Sequence, residues 1–258
     1  MYKDLRVEFT AQRATLNRVH LNQMLSLPFW NALPTSGESL QFCRSLRNRR
    51  RERVRLPLPD VEKLALWASE RTNAVLVIDT DVSMTAKLFM VDLVDLIINN
   101  GMPIVWAMRY ADYWDQRISI TDILHMLILQ AMQVAVDRLF DSPFPVTVEQ
   151  LREAASLGDR VAILRRLVSG MNHMFIALDA DLLAHATMHE RGLVLEMLDM
   201  LRMELPGNVK IVITMSSIGR AYAEELEQSN ACIRIQTGGS DWRRSRRQRG
   251  TKQRYRKQ

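Results

Sequence analysis

The chemistry open to this chain rests on a lysine behind one apolar run and a carboxylate at the end of another. Lys87 enters a helix just after the run Ala74–Ile78 and a short loop, in NAVLVIDTDVSMTAKL at 73–88. A lysine placed there can hold a phosphate. Its ammonium is a point charge, and the helix start adds N–H donors and the positive end of the dipole. The order strand, loop, lysine, helix is that of the phosphate-binding motif G-x-x-x-x-G-K-[ST]. Asp179 ends a second run in HMFIALDAD, 173–181, with Asp181 close behind. At the carboxyl end of a buried parallel strand such a carboxylate faces the ligand crevice and can hold Mg²⁺ beside a bound nucleotide. A third run, VKIVITMSS at 209–217, ends in the hydroxyls of Thr214, Ser216 and Ser217.

The first of these elements lacks what would make it work. A phosphate loop needs glycines so that its N–H groups can wrap the anion without Cβ atoms in the way. Here the glycine positions hold Asp81 and Ala86, and the Ser/Thr position holds Leu88. Asp81 puts negative charge where phosphate belongs, and a carboxylate at a helix start can take the free amides itself. Asp81, Thr85, Lys87 and Asp179 therefore read as a degenerate nucleotide site. Asp179, Thr214 and Ser216 are catalytic only if nucleotide is turned over, with Asp179 then the Mg²⁺ residue. The plainer alternative makes Lys87 a solvated helix lysine, Asp179 and Asp181 caps of the next segment, and Thr214–Ser217 a turn.

Other chemistries find less support. His185 and His189 have helical metal-ligand spacing, but there is no HExxH pattern and no third ligand. No G-x-S-x-G elbow points to a hydrolase. The polar, aromatic stretch from Arg109 to Asp115 follows the second strand and either lines a pocket at that sheet edge or packs as a surface loop. Cys43 and Cys232 stand far apart without a CxxC partner, which favours a reduced cytoplasmic or nuclear protein. No apolar run approaches the roughly 18–20 residues that cross a bilayer, and the charged N-terminus MYKDLRVEFTAQR is no signal peptide, so no membrane partner is expected.

An apolar fraction of 47% over 258 residues suffices for a real core. The net charge of +6 is unevenly placed: 241–258 carry +8, the Arg-rich 44–55 carry +6, and the remainder is acidic at −8. Basic blocks of this kind stay solvated and attract polyanions. In the tail WRRSRRQRGTKQRYRKQ, Trp242 and Tyr255 can stack on bases, which makes non-specific nucleic-acid contact through 241–258 a candidate role beside localisation or simple solvation.

The elements that must position these groups follow from periodicity. Residues 2–27 read as a helix with Leu5, Phe9, Leu16, Val19 and Leu25 on its apolar face, and 28–40 as a linker. Asp60 caps a short helix through Glu70. From residue 73, strands (74–78, 103–108, 173–178, 209–214 and a weaker 231–235) alternate with helices. The helices are read at 83–99, ended by Asn100-Gly101; from Ser119; from Thr147; from Asp159, carrying Val161, Leu164, Leu167 and Val168; and at 188–204. Alternation of this kind implies an α/β sheet with right-handed crossovers.

Taken in order, the three runs resemble the P-loop domain of the signal-transduction ATPases, the group that includes NACHT modules, over about residues 60–236. The strand PIVWAMR followed by the helix ITDILHMLILQA is also similar to a pair found in fungal proteins. The resemblance implies an α/β, three-layer, doubly wound, mostly parallel sheet of P-loop NTPase type. It divides the chain into a helical N-terminal segment with linker and Arg-rich stretch (1–59), the P-loop-like domain (60–238) and a disordered basic tail (239–258). An active member would use ATP or GTP with Mg²⁺. With the glycines and hydroxyl gone, and without the arginine that often follows the third strand, the expectation is a catalytically defective binding or scaffold module with protein partners and weak or no nucleotide binding. The alternatives are a divergent active NTPase and a nucleic-acid-associated protein.

Overall fold

The computed structural model describes residues 2–50, 61–69, 75–80, 83–111, 114–138, 143–214 and 232–237. Asp60, Asp81, Ser216, Ser217 and the tail 241–258 lie outside the described residues. Helices α1 (Tyr2–Leu25), α2 (Ser36–Arg50) and α3 (Val61–Ser69) come first. Then follow β1 (Val75–Thr80), α4 (Ser83–Asn99), β2 (Ile104–Ala107), α5 (Ile120–Arg138), α6 (Val148–Glu153) and α7 (Leu157–Ser169). The chain continues with β3 (Met174–Leu178), α8 (Ala180–Glu204), β4 (Val209–Thr214) and β5 (Cys232–Thr237). The strands form one sheet in the order β2-β3-β4-β1-β5, every neighbouring pair parallel.

Successive strand side chains point to opposite faces, so each strand feeds two cores. Val75, Val77, Val105, Ile176, Leu178 and Ile211 join α5, α7 and α8 on one face. Leu76, Ile78, Trp106, Phe175, Ala177 and Val212 pack with α2, α3 and α4 on the other. Cover on both faces is why the strands read as unbroken apolar runs. Lys210 departs from this: it is fully buried on the α4 face of β4.

Local signals set most helix ends. Gly101, at φ 66°, closes α4. Its N–H donates to Ile98 O at 2.9 Å and the Met102 N–H to Ile97 O at 3.1 Å, which satisfies the last carbonyls. Ser119 and Asp122 bond reciprocally before α5, as do Thr147 and Gln150 before α6. At α7 the cap is Ser156, and Asp159 is its partner three residues on, so the helix starts earlier than the reading from Asp159. α8 likewise starts at Ala180 instead of near 188. The Leu183 N–H donates to Asp179 O at 3.1 Å, and Leu182, Leu183 and Ala186 are buried. The polar stretch that follows Ala186 broke the apolar period and hid this first part of the helix.

The N-terminal segment belongs to the cores. The expected linker contains a 3-10 turn, Pro28–Trp30, whose Trp30 is only 5% exposed and donates its indole N–H to Met24 O at 2.7 Å. The apolar face read for α1 is also corrected. Phe9, Leu16 and Val19 are exposed, while Asn17 and Met24 are buried. Met24, Leu27 and Trp30 pack in the α5–α7–α8 core, so contact with the rest of the fold, which periodicity cannot supply, selects the buried side.

β2 is an edge strand, and its outward backbone is covered by a side chain. Gln130 of α5, 7% exposed, accepts the Trp106 N–H at 3.0 Å and donates to Trp106 O at 2.7 Å and Met126 O at 3.0 Å. The amide thus stands in for the missing neighbouring strand.

Candidate functional site

Register and alternation bring the sequence candidates together. Leu178 of β3 pairs with Ile213 of β4, so one step further Asp179 lies beside Thr214. Both continue the alternation that faces α2 and α4. Ile78 of β1 pairs with Thr214, and α4 leaves β1 carrying Lys87 in its first turns toward the same place. α4 goes to one face of the sheet and α8, which follows β3, to the other. The carboxyl edge near such a divergence is where open parallel sheets place ligands.

Asp179 is 4% exposed and Thr214 2%. Burial pushes the Asp179 carboxyl above its ordinary range. Acting against burial, in decreasing order, are the Lys87 charge, the Arg109 charge, a backbone hydrogen bond from Arg109 and the Thr214 hydroxyl. The Asp179 backbone N–H donates to Ala107 O at 2.9 Å, which anchors the strand end. Lys87 is half-buried, and its charge acts on Asp179 instead of standing in solvent. The side chain of Thr85 and both Asp81 and Ser216 lie outside what is described.

Two further residues complete the cluster. Arg109 was read only as part of a loop; it supplies charge and a backbone donor to Asp179, and its Nε is buried with no hydrogen-bond partner among the described residues. Cys43 was read only as an unpaired cysteine. It sits on α2 against this cluster and donates its S–H to Arg109 O at 3.3 Å. Burial first, and the Asp179 charge second, push its thiol up to about 12, so it is a neutral packing group and no nucleophile. The apolar spacing Leu40, Cys43, Leu46, running into the Arg-rich stretch, was the signal that α2 has a buried side.

α2 closes the site. The Trp106 indole donates to Ser39 Oγ at 3.1 Å. Arg44 donates to Asp95 at 2.9 and 2.6 Å, and Arg47 to Asp92 at 2.8 Å and Asp95 at 2.6 Å. Burial raises the Asp95 carboxyl, but the bonds from Arg44 and Arg47 outweigh it and hold the group below its usual range. Two arginines of the stretch read as a solvated polyanion attractor are thus engaged with α4. Between α2 and α4 remains a cavity of about 10 Å³, lined among others by Cys43, Leu46, Lys87, Arg109 and Asp179. That is about the smallest space that admits one water. Ala86 and Leu88, at the second glycine and hydroxyl positions of the motif, are 1% and 2% exposed and serve the core.

The other candidates disperse. His185 Nε2 lies 2.9 Å from Gln116 O and its ring meets Trp114 edge-on. Among the described residues no three His, Cys, Asp or Glu side chains converge as metal ligands. No described helix is long and apolar enough to cross a membrane. Compared with protein-family models, curated proteins and solved structures, the chain matches none.

Proposed function

We propose that this chain is a catalytically defective protein of P-loop NTPase type, with a three-layer doubly wound sheet, that acts as a binding or scaffold module. The observation that carries this reading is the closed cluster. The groups that would meet phosphate and Mg²⁺, Lys87 and Asp179, act on each other, and the space beside them is about 10 Å³. Pockets for ligands of nucleotide size run from roughly 300 Å³ upward. The buried Ala86 and Leu88 add to it, since neither can frame a phosphate or bind Mg²⁺ through a hydroxyl.

Melting the full chain with millimolar Mg·ATP and Mg·GTP tests the proposal. Ligand at a hundred times its Kd adds about 2.7 kcal/mol of stability, worth several degrees for a domain of this size. The expected shift is under about 1 °C. A shift of several degrees that Lys87→Ala abolishes would overturn the proposal in favour of the divergent active NTPase.

A further inference from the structure

α1 has an apolar face that the core does not use. Its buried side includes Asn17 and Met24, with Leu21 half-buried, and the helix packs on α5 and α6. Phe9, Leu16 and Val19 are 60%, 54% and 46% exposed, and Gln12 and Gln23 are exposed with them. At about 100° per residue, the mean directions of the two groups lie about 130° apart round the helix. Apolar area left in water on a helix that is already docked is area that association can still bury.

The exposed group has the spacing of a coiled-coil seam. Phe9, Gln12, Leu16, Val19 and Gln23 follow one another at alternating steps of three and four residues, and in the sequence Leu5 stands four before Phe9. An average step of about 3.5 residues is the period at which two helices stay in contact along their length. From Phe9 to Gln23 the seam runs for about 22 Å at 1.5 Å per residue. The docked side of α1 holds the helix in place, so a partner helix meets a formed surface and little ordering is left to oppose association.

The side chains of the seam select the partner. A lipid surface would bury the Gln12 and Gln23 amides without partners. A parallel second copy sets each position against itself: Phe9, Leu16 and Val19 meet their own kind, and each glutamine amide meets an amide that both donates and accepts. An antiparallel copy in full overlap would set Phe9 against Val19 and Gln12 against Leu16, amide against leucine. The flanking charges agree. Glu8 stands five residues before Arg13, the separation at which flanking residues of two parallel helices face each other, so opposite charges meet twice. The antiparallel pair would bring Arg13 toward its own copy. The Arg13 guanidinium is 5.0 Å from the centre of the Phe9 ring, which places this charge beside the seam.

We propose that the face of α1 formed by Phe9, Gln12, Leu16, Val19 and Gln23 joins two copies of this chain as a parallel coiled-coil dimer. α1 lies on the α5 side of the sheet and the Lys87–Asp179 cluster on the α4 side, so the seam is independent of that cluster and of the function read from it. Sedimentation velocity of the full chain from about 1 to about 100 µM tests it. The expected result is a reversible monomer–dimer equilibrium within that range, the behaviour of an interface at the small end of specific contacts. Leu16→Asp, at an exposed position, should weaken the dimer about a hundred-fold or more, because it strikes both copies, and should leave the melting temperature of the dilute chain unchanged. Mild oxidation reads the direction. Val19→Cys should cross-link by itself, above the baseline of the wild-type chain with its Cys43 and Cys232. A chain that stays monomeric throughout the range, a dimer untouched by Leu16→Asp, or cross-linking only when Phe9→Cys and Val19→Cys chains are mixed would overturn the proposal. So would a monomeric chain that binds phosphatidylserine vesicles and loses that binding with Leu16→Asp.

Discussion

Replacing Lys87 with methionine keeps most of the side chain's length and removes its charge from beside Asp179. Asp179 is 4% exposed, and the Lys87 charge is the largest influence opposing its burial. Removing one partner of a fully buried ion pair costs about 3–5 kcal/mol. Lys87 is half-buried and Arg109 remains, so we expect about 2–3 kcal/mol. The loss should depend on pH with a definite sign. The folded pKa of Asp179 is raised, so its stabilising contribution is complete below the unfolded value and disappears as pH rises through the folded one. Lys87→Met raises that pKa further, so its penalty grows from acid toward neutral pH. Asp179→Asn keeps an acceptor for the Thr214 hydroxyl and the Arg109 backbone donor, removes the desolvated charge, and should stay within about 1 kcal/mol of wild type. The double variant should then resemble Asp179→Asn, with a coupling of about 2–3 kcal/mol in magnitude. Urea unfolding of the four proteins at acid and neutral pH measures all of this. If Lys87→Met costs under about 0.5 kcal/mol and adds to Asp179→Asn without coupling, Lys87 is a solvated lysine and the cluster argument fails.

Gln130→Leu orphans the outward N–H and C=O of Trp106. At about 1–3 kcal/mol per unmade buried bond it should cost about 2–4 kcal/mol, and the bare edge of β2 should promote self-association in size-exclusion chromatography. Wild-type stability in that variant would mean that Gln130 does not cover the edge. His125 packs against Phe29 and Trp30. Burial, and then the Arg160 charge, lower its pKa from 6.5 to about 4. The unfolded chain therefore takes up a proton that the folded chain refuses, and stability falls as pH drops from 6.5 toward 4. The whole shift would amount to about 3 kcal/mol, which solvent screening of the partly open ring reduces to about 1–2 kcal/mol. His125→Phe should flatten the stability profile across that window, and an unchanged profile would refute the assignment.

Much of the fold was legible because its signals are local. Short apolar runs between turn residues marked the strands, the Ser119, Thr147 and Asn100-Gly101 signals marked helix ends, and the positions of Lys87, Asp179 and Thr214 at strand and helix ends could be read directly. Errors came where a local pattern was broken or incomplete, as at the polar interruption in α8 and the exposed apolar side of α1. The sequence by itself determined which side chains stand at the carboxyl ends of the strands, because period and capping act over a few residues. Only the tertiary structure decided that β4 lies between β3 and β1, which sets Thr214 beside Asp179. It also decided that α2 closes the site through Cys43, Arg44 and Arg47. These contacts join residues dozens of positions apart. They are selected by which surfaces bury together and which charges meet, and no local period encodes that.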